Sequence, residues 1–291
     1  MKIKDILMKN GFSISFEVFP PKTEYAFESV KNAVHDISKL KPAFISVTYG
    51  AGGGTSRYTL DIARKIMKEY GVPSLAHLTC VSSSRESVRE KIREFKESGI
   101  ENIMALRGDL TPELEKGDRS KWDYRHATDL IADIRDICSD MCIGGACYPE
   151  VHPESLNQEE DIAFLKAKVD AGCDFLTTQM FFDNNLFFNF MYKIREAGIN
   201  VPIMPGIMPI TSAKQVERAI KLSGSFMPQR FKTLVDKFGY SDKTMMQAGI
   251  IYATDQIIDL YANGIKNVHV YSMNKPEVAE KIMSNISTII K

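Results

Sequence analysis

The chain has 291 residues, and its 37 Lys plus Arg balance 37 Asp plus Glu, for a formal charge of zero and a pI near 7.0. That balance leaves no basic excess to neutralise phosphates, so nucleic-acid binding is not expected; nor does any run of about 18 apolar residues exist to span a membrane. At 44% hydrophobic and 25% charged the composition is ordinary globular material, with length for one large α/β domain or two small ones.

Strand-like apolar runs alternate with helical patterns from end to end. Lys2, Lys4 and Asp5 make the start too charged for a secretory leader. The first run, 13–21 (SISFEVFPP), puts Ile14, Phe16 and Val18 on one face and Ser15 and Glu17 on the other, and two prolines stop it. A carboxylate at the end of an apolar strand is costly to bury unless it is paired, hydrogen-bonded or protonated, which makes Glu17 the first candidate for chemistry. Helical spacing follows over 23–39, then a strand at 43–49 (AFISVTY), a glycine run Gly50 to Gly54 and a helix near 56–70. The third strand is 74–80 (SLAHLTC), with Ser82 to Ser84 capping a helix through Glu97, and the fourth is 102–109 (NIMALRGD).

A polar loop at 110–122 leads to a helix ending near 138 and a fifth strand, 142–149 (CIGGACYP). After a helix at 158–171 come the sixth strand, 175–183 (FLTTQMFFD), and a helix to Ala197. The seventh, 202–209 (PIMPGIMP), carries prolines that would sit poorly inside an open sheet. Helical patterns fill 212–223, 228–237 and 242–262 before the eighth strand, 267–272 (NVHVYS), and a last helix at 276–289. Eight strand–helix units point to a (β/α)8 TIM barrel with extra helices between the seventh and eighth strands; with no linker-like stretch, 1–291 reads as one domain.

In such a barrel the inward positions near the strand ends line the site. Alternation puts Ser46 and Thr48 inward on the second strand, and His77 and Thr79 on the third. It groups Arg107 and Asp109 with Ala105 on the fourth, opposite Met104 and Leu106; Thr177, Gln179 and Asp183 on the sixth; and His269 and Tyr271 on the eighth. A barrel needing only stability would fill these positions with Val, Ile and Leu, so their convergence marks an active site at one end. The glycine run matches neither common phosphate-binding pattern. The five cysteines (80, 138, 142, 147 and 173) form no CxxC pair and lack zinc-site spacing, and the histidines are scattered, so no metal is expected. Unpaired cysteines in odd number fit a reducing cytoplasm.

The strand ends carry a family likeness. The motifs 15–21 (SFEVFPP), 46–50 (SVTYG), 77–80 (HLTC), 106–109 (LRGD), 148–154 (YPEVHPE), 168–172 (KVDAG), 178–183 (TQMFFD), 205–207 (PGI) and 269–271 (HVY) resemble methylenetetrahydrofolate reductase in its compact prokaryotic catalytic form. The resemblance implies FAD held non-covalently at the barrel's carboxyl face, and ping-pong reduction of 5,10-methylenetetrahydrofolate to 5-methyltetrahydrofolate by NADH or NADPH. By the same likeness Glu17 is the acid, kept protonated by desolvation, and Asp109 stabilises a cationic intermediate and tunes the flavin. Gln179, Gln215 and Lys275 bind the substrate. Thr48, Tyr49, Ala51, His77, Arg107, Gly108, Asp109, His126, Ala127, Tyr148, His152, Asp161 and Lys168 hold the flavin or nicotinamide, with Arg107 and Lys168 aimed at the FAD pyrophosphate.

The sequence departs from the family pattern in four places. Ala167 and Lys275 stand where some relatives have arginine, His126 where a tyrosine is frequent, and Ala219 replaces an aromatic that some members stack on nicotinamide or folate. The departures leave open a partner iron–sulfur protein as electron donor to a flavin-binding subunit. A non-redox pterin-binding transferase on the same barrel is the other alternative. The family habit implies a homo-oligomer.

Overall fold

Among the described residues nine short strands make one sheet: β1 (Ser13–Val18), β2 (Ile45–Val47), β3 (Ser74–Thr79), β4 (Asn102–Leu106), β5 (Cys142–Cys147), β6 (Phe175–Thr178), β7 (Ile203–Met204), β8 (Gly206–Ile207) and β9 (Asn267–Val270). The structure, a computed structural model, describes residues 1–21, 23–49, 56–81, 83–110 and 116–289; Ala51, the rest of the Gly50–Gly54 run and Ser82 lie outside the described residues. Strand order is β7-β6-β5-β4-β3-β2-β1-β9-β8, and every pairing is parallel.

The two ends of that order are neighbours in the chain, separated by Pro205 alone. They are halves of one broken seventh strand: β7 bonds to β6 and β8 bonds to β9, which closes the barrel. Proline has no N–H for a ladder and is tolerated at such a break; its carbonyl accepts from the His269 amide at 2.9 Å. The Gly206 amide donates to the Thr178 hydroxyl at 2.8 Å, and the Tyr271 hydroxyl donates to the Thr178 carbonyl at 2.6 Å. A Cβ on residue 206 would lie 2.4 Å from both that carbonyl and that hydroxyl, so only glycine lets the seam close.

Helices at Phe27–Lys39, Ser56–Tyr70, Arg85–Glu97, Ala127–Ile137, Gln158–Asp170, Asn184–Glu196 and Pro276–Ile286 follow the strands, and Ala213–Ser223, Gln229–Phe238 and Asp242–Ala262 fill the span between β8 and β9, where extra helices were expected. Their apolar stripes face the sheet: Val30, Ala33, Val34 and Ile37 on the Phe27–Lys39 helix recur at helical spacing and are buried. The helix Ile3–Leu7 escaped the sequence reading. Five residues are too few to display a period. It stoppers the amino end of the barrel, burying Ile3 and Leu7 against Phe44, Leu75, Met104, Cys142, Phe175 and Met204. The Ile3 amide donates to Asn102 Oδ1 at 2.8 Å, and Lys4 reaches Asp174 at 3.0 Å, the same carboxylate that Arg135 holds at 2.6 Å.

Two facing assignments are corrected. His77 pairs with Met104, so Met104 points inward, while Ile103 and Ala105 pack outward with the helices. Ala105 therefore does not share a face with Arg107 and Asp109. The strand ends at Leu106 and Gly108 has a φ of +98°, which resets the alternation extrapolated through it. Asp183 is likewise not on β6, which stops at Thr178; it caps the following helix, accepting from the Asn185 amide at 2.9 Å.

Candidate active site

At the carboxyl end of β1, Glu17 is 9% exposed and faces the barrel axis. Burial pushes its carboxyl up to about 8, and a hydrogen bond with Ser46 pulls it partly back. Across from it His77 Nε2 lies 3.8 Å from Glu17 Oε2 and has no hydrogen-bond partner. That distance is too long for a hydrogen bond. Burial holds His77 down to about 4, so near neutral pH this is a neutral acid facing a neutral imidazole rather than an ion pair. The Glu17 main chain is tied to the β9 end: Ser272 donates to its carbonyl at 2.9 Å, and Asn274 clamps Phe19 through both main-chain groups, at 2.8 and 3.0 Å. Asn274 and the preceding Met273 adopt positive φ of 54° and 55°, which asparagine tolerates readily.

A second group gathers at the ends of β4 and β5. Arg107 bonds Glu154 at 2.5 Å, and Arg119 lies 3.6 Å from the same carboxylate. Gly108 packs its Cα face against Thr79 and Val81, and Asp109, beyond it, is exposed. Asp109 and Asp161 both push the Tyr148 phenol up, after burial as the larger cause. Tyr148 meets the His152 ring edge-on at 4.6 Å, and the His152 amide donates to Asp161 at 3.1 Å. Lys168 points inward rather than out: its ammonium donates to the Ala146 carbonyl at 2.5 Å, and burial lowers its pKa. His126, exposed at the start of the helix that opens with Ala127, stacks at 5.7 Å on Phe164. Thr48 is half-buried, its amide on the Val18 carbonyl at 3.0 Å, and Tyr49 packs on the core edge.

Gln179 follows β6, its amide on the Cys147 carbonyl at 2.7 Å and its side-chain carbonyl accepting from Met180 at 2.9 Å. A small cleft joins it to Tyr148, Glu150 and Ser225. Glu150, which the sequence reading did not single out, accepts from the Phe226 amide at 2.7 Å through one oxygen and leaves the other buried without a partner. Gln215 and Lys275, assigned together, do meet. Lys275 donates to the Thr211 hydroxyl at 2.7 Å, and Gln215 Oε1 accepts from the Thr211 amide at 2.8 Å. Ala219, by contrast, is buried in the second core beside Phe182, Met208 and Phe231.

The site thus has three parts on one barrel face: a dry acid pocket under β1, a half-exposed cationic and aromatic flank after β4 and β5, and a polar rim after β8. Among the described residues no cluster of three His, Cys, Asp or Glu could hold a metal ion, and no helix is long and apolar enough to cross a membrane.

Residues 2–287 match the family model for methylenetetrahydrofolate reductase. A Pectobacterium carotovorum protein named 5,10-methylenetetrahydrofolate reductase is 36% identical over 275 residues, covering 94% of this chain and 90% of its own length. An Arabidopsis thaliana protein named methylenetetrahydrofolate reductase (NADH) 1 is 33% identical over 99% of this chain, which spans only 50% of that longer relative. Among solved structures, an uncharacterised Clostridium thermocellum protein that binds two copies of 5-methyl-5,6,7,8-tetrahydrofolic acid superposes with a TM-score of 0.74 at 16% identity, over 100% of both chains.

Proposed function

The chain belongs to the methylenetetrahydrofolate reductase family and reduces 5,10-methylenetetrahydrofolate to 5-methyltetrahydrofolate; we propose that Glu17 is the acid that makes this possible. Opening the five-membered folate ring requires a proton on the leaving nitrogen, so the acid has to hold its proton near neutral pH. The observation that carries the reading is the buried Glu17 carboxyl, facing an unpartnered neutral imidazole and pushed up to about 8. Asp109, exposed on the flank, is the counter-charge to the iminium cation left when the ring opens. Gln179 offers a donor and an acceptor to the pterin edge. Gln215 and Lys275, joined through Thr211, present a polar rim to the rest of the substrate.

FAD, when bound, supplies the hydride, itself drawn from NADH or NADPH. The residues fit such a group: His77 Nε2 and Thr177 Oγ are buried polar atoms without partners on the inward face. Thr48, Tyr49, His77, Arg107, Gly108, His126, Ala127, Tyr148, His152, Asp161 and Lys168 would hold it, with Ala51 outside the described residues. Arg107 would exchange its bond to Glu154 for the pyrophosphate, and Lys168 would turn from the Ala146 carbonyl. We place the protein in the cytoplasm, as a single domain and as a homo-oligomer; exposed Tyr240 and Ile251 around the Asp242–Ala262 helix support a contact there. Anaerobic mixing tests the reading: bound flavin should bleach with a reduced nicotinamide and recolour with methylenetetrahydrofolate. A protein that takes up no flavin, or whose reduced flavin ignores the folate, would refute it.

A further inference from the structure

The strand that carries Glu17 runs straight into Phe19, Pro20 and Pro21, and the prolines limit what can hold that segment. Proline has no N–H, so the Phe19 amide is the last main-chain donor in 13–21. Each proline also confines the residue before it to extended backbone, which makes 19–21 a stiff piece. The pairing of β1 with β9 ends at Phe16 and Val270. Beyond that point side chains take over the ladder. Ser272 Oγ donates to the Glu17 carbonyl at 2.9 Å, Asn274 Oδ1 accepts from the Phe19 amide at 2.8 Å, and Asn274 Nδ2 donates to the Phe19 carbonyl at 3.0 Å. A main-chain N–H only donates and a main-chain carbonyl only accepts, so the direction of all three bonds is fixed.

Asn274 sits in a turn that disfavours most residues. The Lys275 amide donates to the Ser272 carbonyl at 3.0 Å, and both central residues have positive φ, 55° at Met273 and 54° at Asn274. Backbone of this kind persists only where its surroundings over-determine it. The turn delivers Lys275, whose ammonium donates to the Thr211 hydroxyl at 2.7 Å, and the Thr211 amide in turn bonds Gln215. Adjoining residues thus hold the acid strand on one side and the polar rim on the other. Asparagine meets both demands at residue 274, since it tolerates the left-handed region and carries one donor and one acceptor group. Glycine has the backbone but no amide, and an aspartate would set an oxygen against the Phe19 carbonyl. We propose that Asn274 is a positioning residue for the folate half-reaction: its side-chain amide extends the β1–β9 ladder and fixes the acid strand and the Lys275 rim as one unit, so that proton donor and substrate grip keep one spacing. This rests on the roles of Glu17 and Lys275 proposed above.

Two variants of the full chain test this. Asn274→Gly keeps the turn and deletes the clamp, and Asn274→Asp keeps the shape and turns one of its bonds repulsive at neutral pH. Hydrogen exchange read by mass spectrometry reports on the clamp without folate. In both variants segments 16–19 and 272–277 should lose protection together, by about tenfold at the Phe19 amide, the worth of one hydrogen bond, while β3 to β6 stay unchanged. In anaerobic stopped-flow, reoxidation of the reduced flavin by methylenetetrahydrofolate should lose about 10–100-fold in kcat/KM, the scale of a misplaced reacting group, while bleaching by a nicotinamide stays within about twofold. Loosening confined to 272–277, equal losses in both half-reactions, or an unchanged folate reaction in a variant whose clamp has opened would each overturn the inference. A folate loss in Asn274→Gly with none in Glu17→Gln would count against the acid role and leave the clamp on the Lys275 side standing.

Discussion

Glu17→Gln is the sharpest probe of the chemistry. The amide keeps the volume and burial of the acid and removes only its proton. At pH 7 a carboxyl titrating at about 8 is roughly 90% protonated, whereas one at the ordinary 4.5 would be well under about 1% protonated. The fold therefore keeps the acid loaded some two orders of magnitude more often than water would, and losing a positioned acid costs about 10²–10⁴-fold in the step that needs it. Flavin reduction by a nicotinamide needs no such proton. In anaerobic stopped-flow the variant should bleach at a rate within about twofold of the parent, while reoxidation by methylenetetrahydrofolate slows by about 10²–10⁴-fold. The parent's own reoxidation rate should fall about tenfold per pH unit above the Glu17 titration near 8. Equal losses in both half-reactions, or a reoxidation rate flat through that range, would refute the assignment.

The same carboxyl makes a stability prediction of definite sign. Between pH 4.5 and about 8 the folded protein holds a proton that the unfolded chain has released, so stability falls as pH rises through that window, by roughly 4–5 kcal/mol in all. Glu17→Gln lacks the term, so its urea midpoint should exceed the parent's at pH 8.5 and converge with it near pH 5; parallel curves would show that the carboxyl is not desolvated. Gly206→Ala forces a methyl to within 2.4 Å of the Thr178 carbonyl and should cost about 1–3 kcal/mol or more by calorimetry, with no recovery when Tyr271→Phe is added, because the obstructing carbonyl is main chain. Asp109→Asn removes a negative charge from the flank and should raise the flavin midpoint potential in a redox titration; an unchanged potential removes Asp109 from the flavin's surroundings.

The barrel was readable because its periods were long and repeated: eight apolar runs, each followed by a stripe such as Val30, Val34 and Ile37, leave few architectures. Glu17, His77 and His269 were placed correctly because β1, β3 and β9 stay regular through those positions. The reading failed where the chain leaves strand geometry. The fourth strand ends at Leu106, before Arg107 and the positive-φ Gly108, so alternation does not carry on to Arg107 and Asp109, and at Asp183 helix capping takes over from pairing. Partners chosen in three dimensions were out of reach altogether. Nothing in the pattern joins Glu154 to Arg107, or Thr211 to both Gln215 and Lys275, since those bonds depend on loops from separate strands meeting over the rim.

The short amino-terminal helix has a consequence for traffic. Ile3 and Leu7 cork one end of the barrel, and Asn102, Lys4 and Asp174 bolt the cork in place. Under the proposed hydride relay, reductant and folate would both enter from the opposite face. Trimming the first eight residues would uncover a greasy floor long before it touched a reacting group, and such a shortened protein should clump rather than merely slow down.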